Sequence, residues 1–265
     1  MRLTESFQHK YYDRSSIWAE NYWNEVQRNR AKMTVELLPP GIRSVLDVGC
    51  GAGVITKALT SNVSKIVAID FALAPLIQVK EPHVQVIQGD ARFLPLADKT
   101  FDAVVSAELI EHLTESARQQ TLSEMARVSR KIILLTVPWR EVLEYDQVKC
   151  GDCGCVFHAS YHTKSFDEPE MSSLFKGIFS VGMIRKFGPA KKRIPRSLVM
   201  LTQIFGGYAK VQPGRSLCPQ CGNTEHYLSH RNSKTRFLLG IPSRALPLPK
   251  LPSWMAVLYE RNFRD

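Results

Sequence analysis

The chain has 265 residues, 44% hydrophobic and 23% charged, with a formal net charge of +10, which suits one large globular domain or one domain with a substantial insertion. No apolar run approaches the roughly 18 residues of a membrane span, and the opening "MRLTESFQHKYY" has no apolar segment of the secretory kind; the expectation is a cytoplasmic protein whose cysteines stay reduced and available to metal. The charge is uneven: from Ile184 onward 15 Lys/Arg face 3 Asp/Glu, a balance of +12, while the first 183 residues carry 20 against 22, a balance of −2.

Residues 14–38 mix apolar and charged positions at helical spacing and end at Pro39-Pro40-Gly41, so residues 1–40 read as an N-terminal helical cap. Strands and helices then alternate. The strands are "SVLDVG", "KIVAID", "VQVIQGD", "FDAVVSA" and "KIILLTVP"; the helices are "VITKALT", one around "APLIQVK", and "SARQQTLSEMARVSR". Short continuous apolar strands suit a parallel sheet covered by helices on both faces, an α/β fold. The helix "DEPEMSSLFKGI" and the strand "FSVGMIRKFG" continue the alternation, and "WMAVLYERN" supplies a last strand. Residues 41–265 thus form the main domain, with an irregular insertion split between about 146–160 and 189–250 and one short helix near "SLVMLTQIF".

The stretch "LDVGCGAGVITKAL" places Gly49, Gly51 and Gly53 between a strand and a helix. Glycines there let the backbone approach a nucleotide closely. The dinucleotide fingerprint G-x-G-x-x-G does not fit, because Val54 stands where its third glycine belongs. Asp47, two residues before the first glycine, would repel a pyrophosphate and welcome a cation. The ligand expected is therefore a nucleoside bearing positive charge, and S-adenosylmethionine has both an ammonium and a sulfonium.

With these residues the sequence resembles the class I S-adenosylmethionine-dependent methyltransferases (type 11-like) over about residues 40–187 and the final strand, which implies a Rossmann-like sheet, mostly parallel, with the last strand antiparallel. The resemblance implies that Asp47 faces the methionine ammonium and that Gly49, Gly51 and Gly53 line the cofactor. It further implies that Asp70, with Phe71 after it, accepts the ribose hydroxyls, that Asp90 and Ala91 flank the adenine, and that Ser106 borders the site. A turn-forming role for Asp47 and a helix cap for Asp70 are the structural alternatives. Three acids in register after three successive strands favour binding.

In "AELIEHL", Glu108, Glu111 and His112 are spaced i, i+3, i+4, which on a helical turn puts them on one face. The element is similar to that of ubiquinone-biosynthesis O-methyltransferases and small-RNA 2′-O-methyltransferases, where a further histidine follows the fifth strand; here "FHASYHTKSF" offers His162, with His158 behind it. That resemblance implies a divalent ion, Mg or Mn, on Glu108, Glu111, His112 and His162. Two alternatives stand beside it: a histidine base without metal, or acids that merely complement a helix dipole.

"KCGDCG" (Cys150, Cys153) and "LCPQCG" (Cys218, Cys221) are paired C-x-x-C-G knuckles, which suit one all-thiolate zinc; unrelated reduced pairs or a redox motif are the alternatives. Cys155, His226 and His230 are spare ligands, and Cys50 in the glycine loop reads as packing. One knuckle follows the fifth strand and the other precedes the last, so a zinc-knuckle lid over the substrate is expected. The leading function is O-methylation of a small or lipid-linked hydroxyl. An RNA acceptor held by the basic last third, peripheral membrane contact, and a non-enzymatic zinc-ribbon interaction module are the competing readings.

Overall fold

The apolar runs become strands β1 (Ser44–Val48), β2 (Lys65–Asp70), β3 (Val84–Gln88), β4 (Phe101–Ala107) and β5 (Ser129–Pro138), all parallel, in the spatial order β3-β2-β1-β4-β5. Two later strands complete the sheet, β12 (Trp254–Arg261) antiparallel against β5, as the resemblance implies, and β8 (Phe179–Phe187) at the edge. Successive side chains of a strand point to opposite faces, so each run feeds two cores. Leu46 and Ile133 pack on one face with Met125 and Tyr259; Val45 and Leu134 pack on the other with Ala31, Ile55 and Leu59. In this computed structural model the described residues are 5–18, 24–205, 207–211, 214–225, 227–228 and 248–262.

The helices are α1 (Glu5–Tyr12), α2 (Glu25–Val35), α3 (Val54–Leu59), α4 (Leu73–Leu76), α5 (Glu115–Val128), α6 (Glu168–Ser173) and α7 (Arg196–Ile204). Asn24 caps α2 by accepting from Gln27 N, Thr114 caps α5, and Asp167 with Glu170 forms a capping box on α6. Residues 14–38 are not one helix: a short 3₁₀ turn (Ser15–Trp18) precedes α2, and residues 19–23 lie outside the described set. The helix expected over 167–178 stops at Ser173, before Gly177 turns with φ 89°. α4 is a single turn rather than a helix through residue 80.

The insertion builds its own small sheet. β6 (Gln147–Cys150) pairs antiparallel with β7 (Val156–His158) and with β10 (Tyr227–Leu228). Its core of Val148, Phe157, Tyr161 and Leu217 is completed by Phe7 and Tyr11 of α1. β9 (Lys191–Lys192) and β11 (Lys250–Leu251) form a further two-stranded ladder. Among the described residues no helix is long and apolar enough to cross a membrane.

Candidate active site and cysteine centre

The glycine loop leaves β1 and turns into α3 through three left-handed residues, Gly49, Gly51 and Gly53, with φ of 72°, 52° and 82°. A Cβ at Gly51 would stand 2.8 Å from the Trp18 ring, and one at Gly49 would stand 2.9 Å from Leu109. Only bare backbone fits. Asp70, at the end of β2, accepts from Gly51 N at 2.9 Å and Ala72 N at 3.0 Å, so its carboxylate is fixed beside the loop. Burial raises its pKa against those hydrogen bonds. Asp47 is buried under the loop and accepts from the Thr56 hydroxyl at 2.5 Å; burial pushes its pKa up to about 7. A buried acid, bare glycines and an anchored second acid make a cradle that fits a cationic nucleoside.

The other candidates around this cradle have partners of their own. Ser106 spends its hydroxyl on Val48 O at 2.8 Å and ties β4 to β1. Asp90 is gripped by the Arg92 guanidinium, with Nε at 3.0 and 2.9 Å from its two oxygens. Ala91 packs against the core. Phe71 meets the Tyr12 ring edge-on at 5.7 Å. The N-terminal segment therefore closes over the loop, with Trp18 on Gly51, Tyr12 on Phe71, and Asp13 accepting from Leu73 N at 2.7 Å.

Beyond β4 the structure rearranges the predicted Glu/His element. Residues 108–113 form a turn outside any helix, and α5 begins only at Glu115. Glu108 has φ 57°, which breaks the helical spacing. Its side chain goes to Arg30 Nη1 at 3.3 Å and accepts from Trp254 Nε1 at 3.2 Å. It does not join the others. Glu111, His112 and His162 do come together, with one ligand atom of each within 4.8 Å of the rest.

His162 also belongs to a second trio with His158 and Glu141, a residue the sequence reading missed. His162 Nδ1 lies 2.5 Å from Glu141 Oε2, and His158 Nε2 lies 3.6 Å from Oε1. Burial pushes the Glu141 carboxyl up, but the hydrogen bond with His162 and the nearby His158 ring outweigh it and hold the pKa far below the usual range. An ionised carboxylate only accepts, so Nδ1 of His162 is the donor in this pair and Nε2 is the ring atom left to face the site. His112 is held neutral, first by burial and then by its two histidine neighbours. Glu111 is fully buried, and neither of its carboxylate oxygens has a hydrogen-bond partner. Burial, reinforced by Glu108, raises its pKa well above the ordinary value. A buried carboxylate with nothing to accept from, beside two imidazoles, is a donor set suited to a divalent ion.

The four knuckle cysteines meet as the spacing predicts. Cys150 and Cys221 Sγ are 3.6 Å apart, Cys153 and Cys218 Sγ 3.5 Å, and all four lie within 4.8 Å of one another. The two knuckles repeat one geometry: Gly154 N donates to Cys150 O and Gly222 N to Cys218 O, and both glycines are left-handed. Despite burial, the Asn223 amide and the loop amides lower the Cys150 thiol to about 6. A tetrahedron with Zn–S of about 2.3 Å has edges of roughly 3.8 Å, which matches these separations. Cys155 stands outside the quartet, Cys50 is buried in the glycine loop, and His226 and His230 lie outside the described residues.

This sheet order, with a glycine loop after β1 and acids closing β1 and β2, is the Rossmann-like sheet found in methyltransferases. Residues 45–131 match the family model described as a methyltransferase domain. Over 177 residues the chain is 30% identical to a protein of Mycobacterium tuberculosis (strain H37Rv) described as a probable S-adenosylmethionine-dependent methyltransferase, covering 64% of this chain and 61% of that one. The chain thus spans about three fifths of that relative's length. The fold is shared with a SAM-dependent methyltransferase of Archaeoglobus fulgidus (TM-score 0.55, 14% identity, 97% of this chain and 98% of the other). It is shared as well with magnesium protoporphyrin IX methyltransferase of Synechocystis (TM-score 0.58, 10% identity, 97% and 99%).

Proposed function

We propose that this chain is an S-adenosylmethionine-dependent O-methyltransferase acting on a hydroxyl of a small or lipid-linked acceptor. The observation that carries the reading is the Glu141–His162 pair, held at 2.5 Å beside Glu111 and His112. S-adenosylmethionine, when bound, supplies a methyl group on a sulfonium, and transfer from it needs mainly alignment. Asp47 would meet the ammonium, Asp70 the ribose, and the bare loop the rest of the nucleoside.

A hydroxyl acceptor must lose its proton. His162, with its ring neutral, would take it on Nε2, and Glu141 would stabilise the imidazolium that forms. Glu111, His112 and His162 would hold a divalent ion, which lowers the pKa of a bound hydroxyl. Both routes converge on His162. The pair also resembles a metal site's outer shell, where a carboxylate orients the ligating imidazole.

The test uses methyl-labelled S-adenosylmethionine with separated lipid, small-metabolite and RNA fractions. Label is expected as an ether in the lipid or small-metabolite fraction, and His162→Ala should abolish it while sparing cofactor binding. An RNA acceptor is the second reading, favoured by residues 184–224, which hold eight Lys/Arg and no acid; label in the RNA fraction would establish it. Cofactor binding without label in any fraction would favour a non-enzymatic interaction module, with the cysteine centre as its working part.

A further inference from the structure

Helix α7 and the strand before it carry a surface that the chemistry above does not use. Val199 and Thr202 are buried against the protein, whereas Met200, Leu201, Ile204 and Phe205 are 48%, 42%, 77% and 56% exposed. At about 100° per residue these four positions share an arc of roughly 140° on the outward side. An apolar stripe on the outside of a helix is unusual on a protein surface and marks an interaction site.

The stretch of chain on either side of it is cationic. Residues 184–224 contain Arg185, Lys186, Lys191, Lys192, Arg193, Arg196, Lys210 and Arg215, and no Asp or Glu. Lys191 and Lys192 form β9, which is exposed and leads into the helix within four residues. The helix is moored: Gln203 Nε2 donates to Glu144 O at 2.8 Å and to Gln147 Oε1 at 3.1 Å, and Arg196 pairs with Glu144. Glu144 belongs to the 3₁₀ turn Leu143–Asp146, three residues beyond Glu141. The apolar face is therefore fixed to the segment that positions His162.

We propose that α7 and the dibasic strand before it dock this protein on an anionic lipid bilayer, with Met200, Leu201, Ile204 and Phe205 inserted in the interface and Lys191 and Lys192 on the headgroups. Interfacial helices combine an inserted apolar face with a cationic border in this way. A protein partner would have to supply a matching acidic rim; a bilayer of anionic lipid supplies charge and apolar depth together. The inference deepens the lipid-linked reading of the acceptor and rests on it for its purpose, because a chain docked here takes such a substrate from the membrane plane.

The experiment is co-sedimentation of the full chain with phosphatidylcholine vesicles with or without phosphatidylglycerol, alongside calorimetry with S-adenosylhomocysteine. Wild type should pellet with the anionic vesicles and stay in solution with the neutral ones. Ile204→Asp with Phe205→Asp, and separately Lys191→Glu with Lys192→Glu, should each weaken vesicle binding about tenfold or more and leave S-adenosylhomocysteine affinity within twofold. Vesicle binding needs no turnover, so its failure is distinct from failure of the methyltransferase reading. The proposal is overturned if wild type ignores anionic vesicles or if the Asp variants bind them as wild type does. It is equally overturned if polyuridylate alone is retained in a charge-dependent way, or if the Asp variants merely dissociate a dimer.

Discussion

The Tyr12 hydroxyl lies 3.0 Å from Nδ1 of His112, joining the N-terminal helix to the turn after β4. Burial keeps the phenol protonated, with its pKa well above the ordinary value. Tyr12→Phe removes that one contact and preserves the ring packing on Phe71. A neutral hydrogen bond contributes about 0.5–1.5 kcal/mol, so the melting temperature should fall by roughly 2–5 °C. The His112 ring nitrogens should shift in ¹⁵N NMR, while S-adenosylhomocysteine affinity stays within twofold. Unchanged His112 resonances would show that the contact does not hold in solution.

Cofactor binding through Asp47 should depend on pH. Its pKa is raised from 3.8 to about 7 by burial, so the folded apo-protein holds a proton that the unfolded chain releases. The stability tied to that proton is present at acid pH and is lost as pH rises through about 7. A cationic ligand favours the carboxylate and expels the proton. S-adenosylmethionine should bind about tenfold more weakly at pH 5.5 than at pH 7. Calorimetry in two buffers of different ionisation enthalpy should detect proton release at pH 5.5 in wild type and none in Asp47→Asn.

Glu111 distinguishes a metal centre from a strained acid. In metal-free protein, Glu111→Gln removes a buried group that is costly to ionise, and the melting temperature should rise or hold. In wild type, Mn²⁺ should raise the melting temperature, and Glu111→Gln should abolish that rise. If Mn²⁺ has no effect on wild type, the proton-transfer role of His162 with Glu141 remains and the metal assignment falls.

The cysteine quartet should retain about one zinc per chain when the protein is purified without chelator. Cys218→Ser should lose it. Structural zinc is worth roughly 10 kcal/mol or more in small peptides, so hydrogen exchange should rise sharply in β6 and β7. It should rise as well in α1, whose Phe7 and Tyr11 share that core. The glycine loop stands on β1 and β2, and cofactor affinity should change by less than about threefold. Full protection of α1 in the zinc-free variant would count against the shared core.

The strands were legible because continuous apolar runs such as "VVSA" and "IILL" feed a core on each face, and the knuckles because glycine after C-x-x-C has a conformational reason. The glycine loop and its acids were legible through spacing along the chain. Glu141 was not, since one of the three acids in "WREVLEYD" gains meaning only when tertiary folding brings His158 and His162 to it. The i, i+3, i+4 argument for Glu108 presupposed a helix that the left-handed backbone at Glu108 prevents. Within the N-terminal helical cap the bounds of the first helix were not legible, because "ESFQHKYY" has weak periodicity and packing of Phe7 and Tyr11 on Tyr161 holds it instead.

Between Cys153 and Cys218 the chain runs through β7, α6, β8, β9 and α7 before the second knuckle arrives. Either knuckle alone can offer two thiolates as soon as it is synthesised, but four converge only when that long loop closes. The entropy of closing such a loop grows only slowly with its length, yet the contact is non-local and forms late compared with neighbouring turns. A tetrahedral ion here would act as a latch on the final stage of folding. Chains emerging from denaturant should acquire the four-thiolate signature after strand pairing is complete, and a mispaired edge strand would be left unlatched.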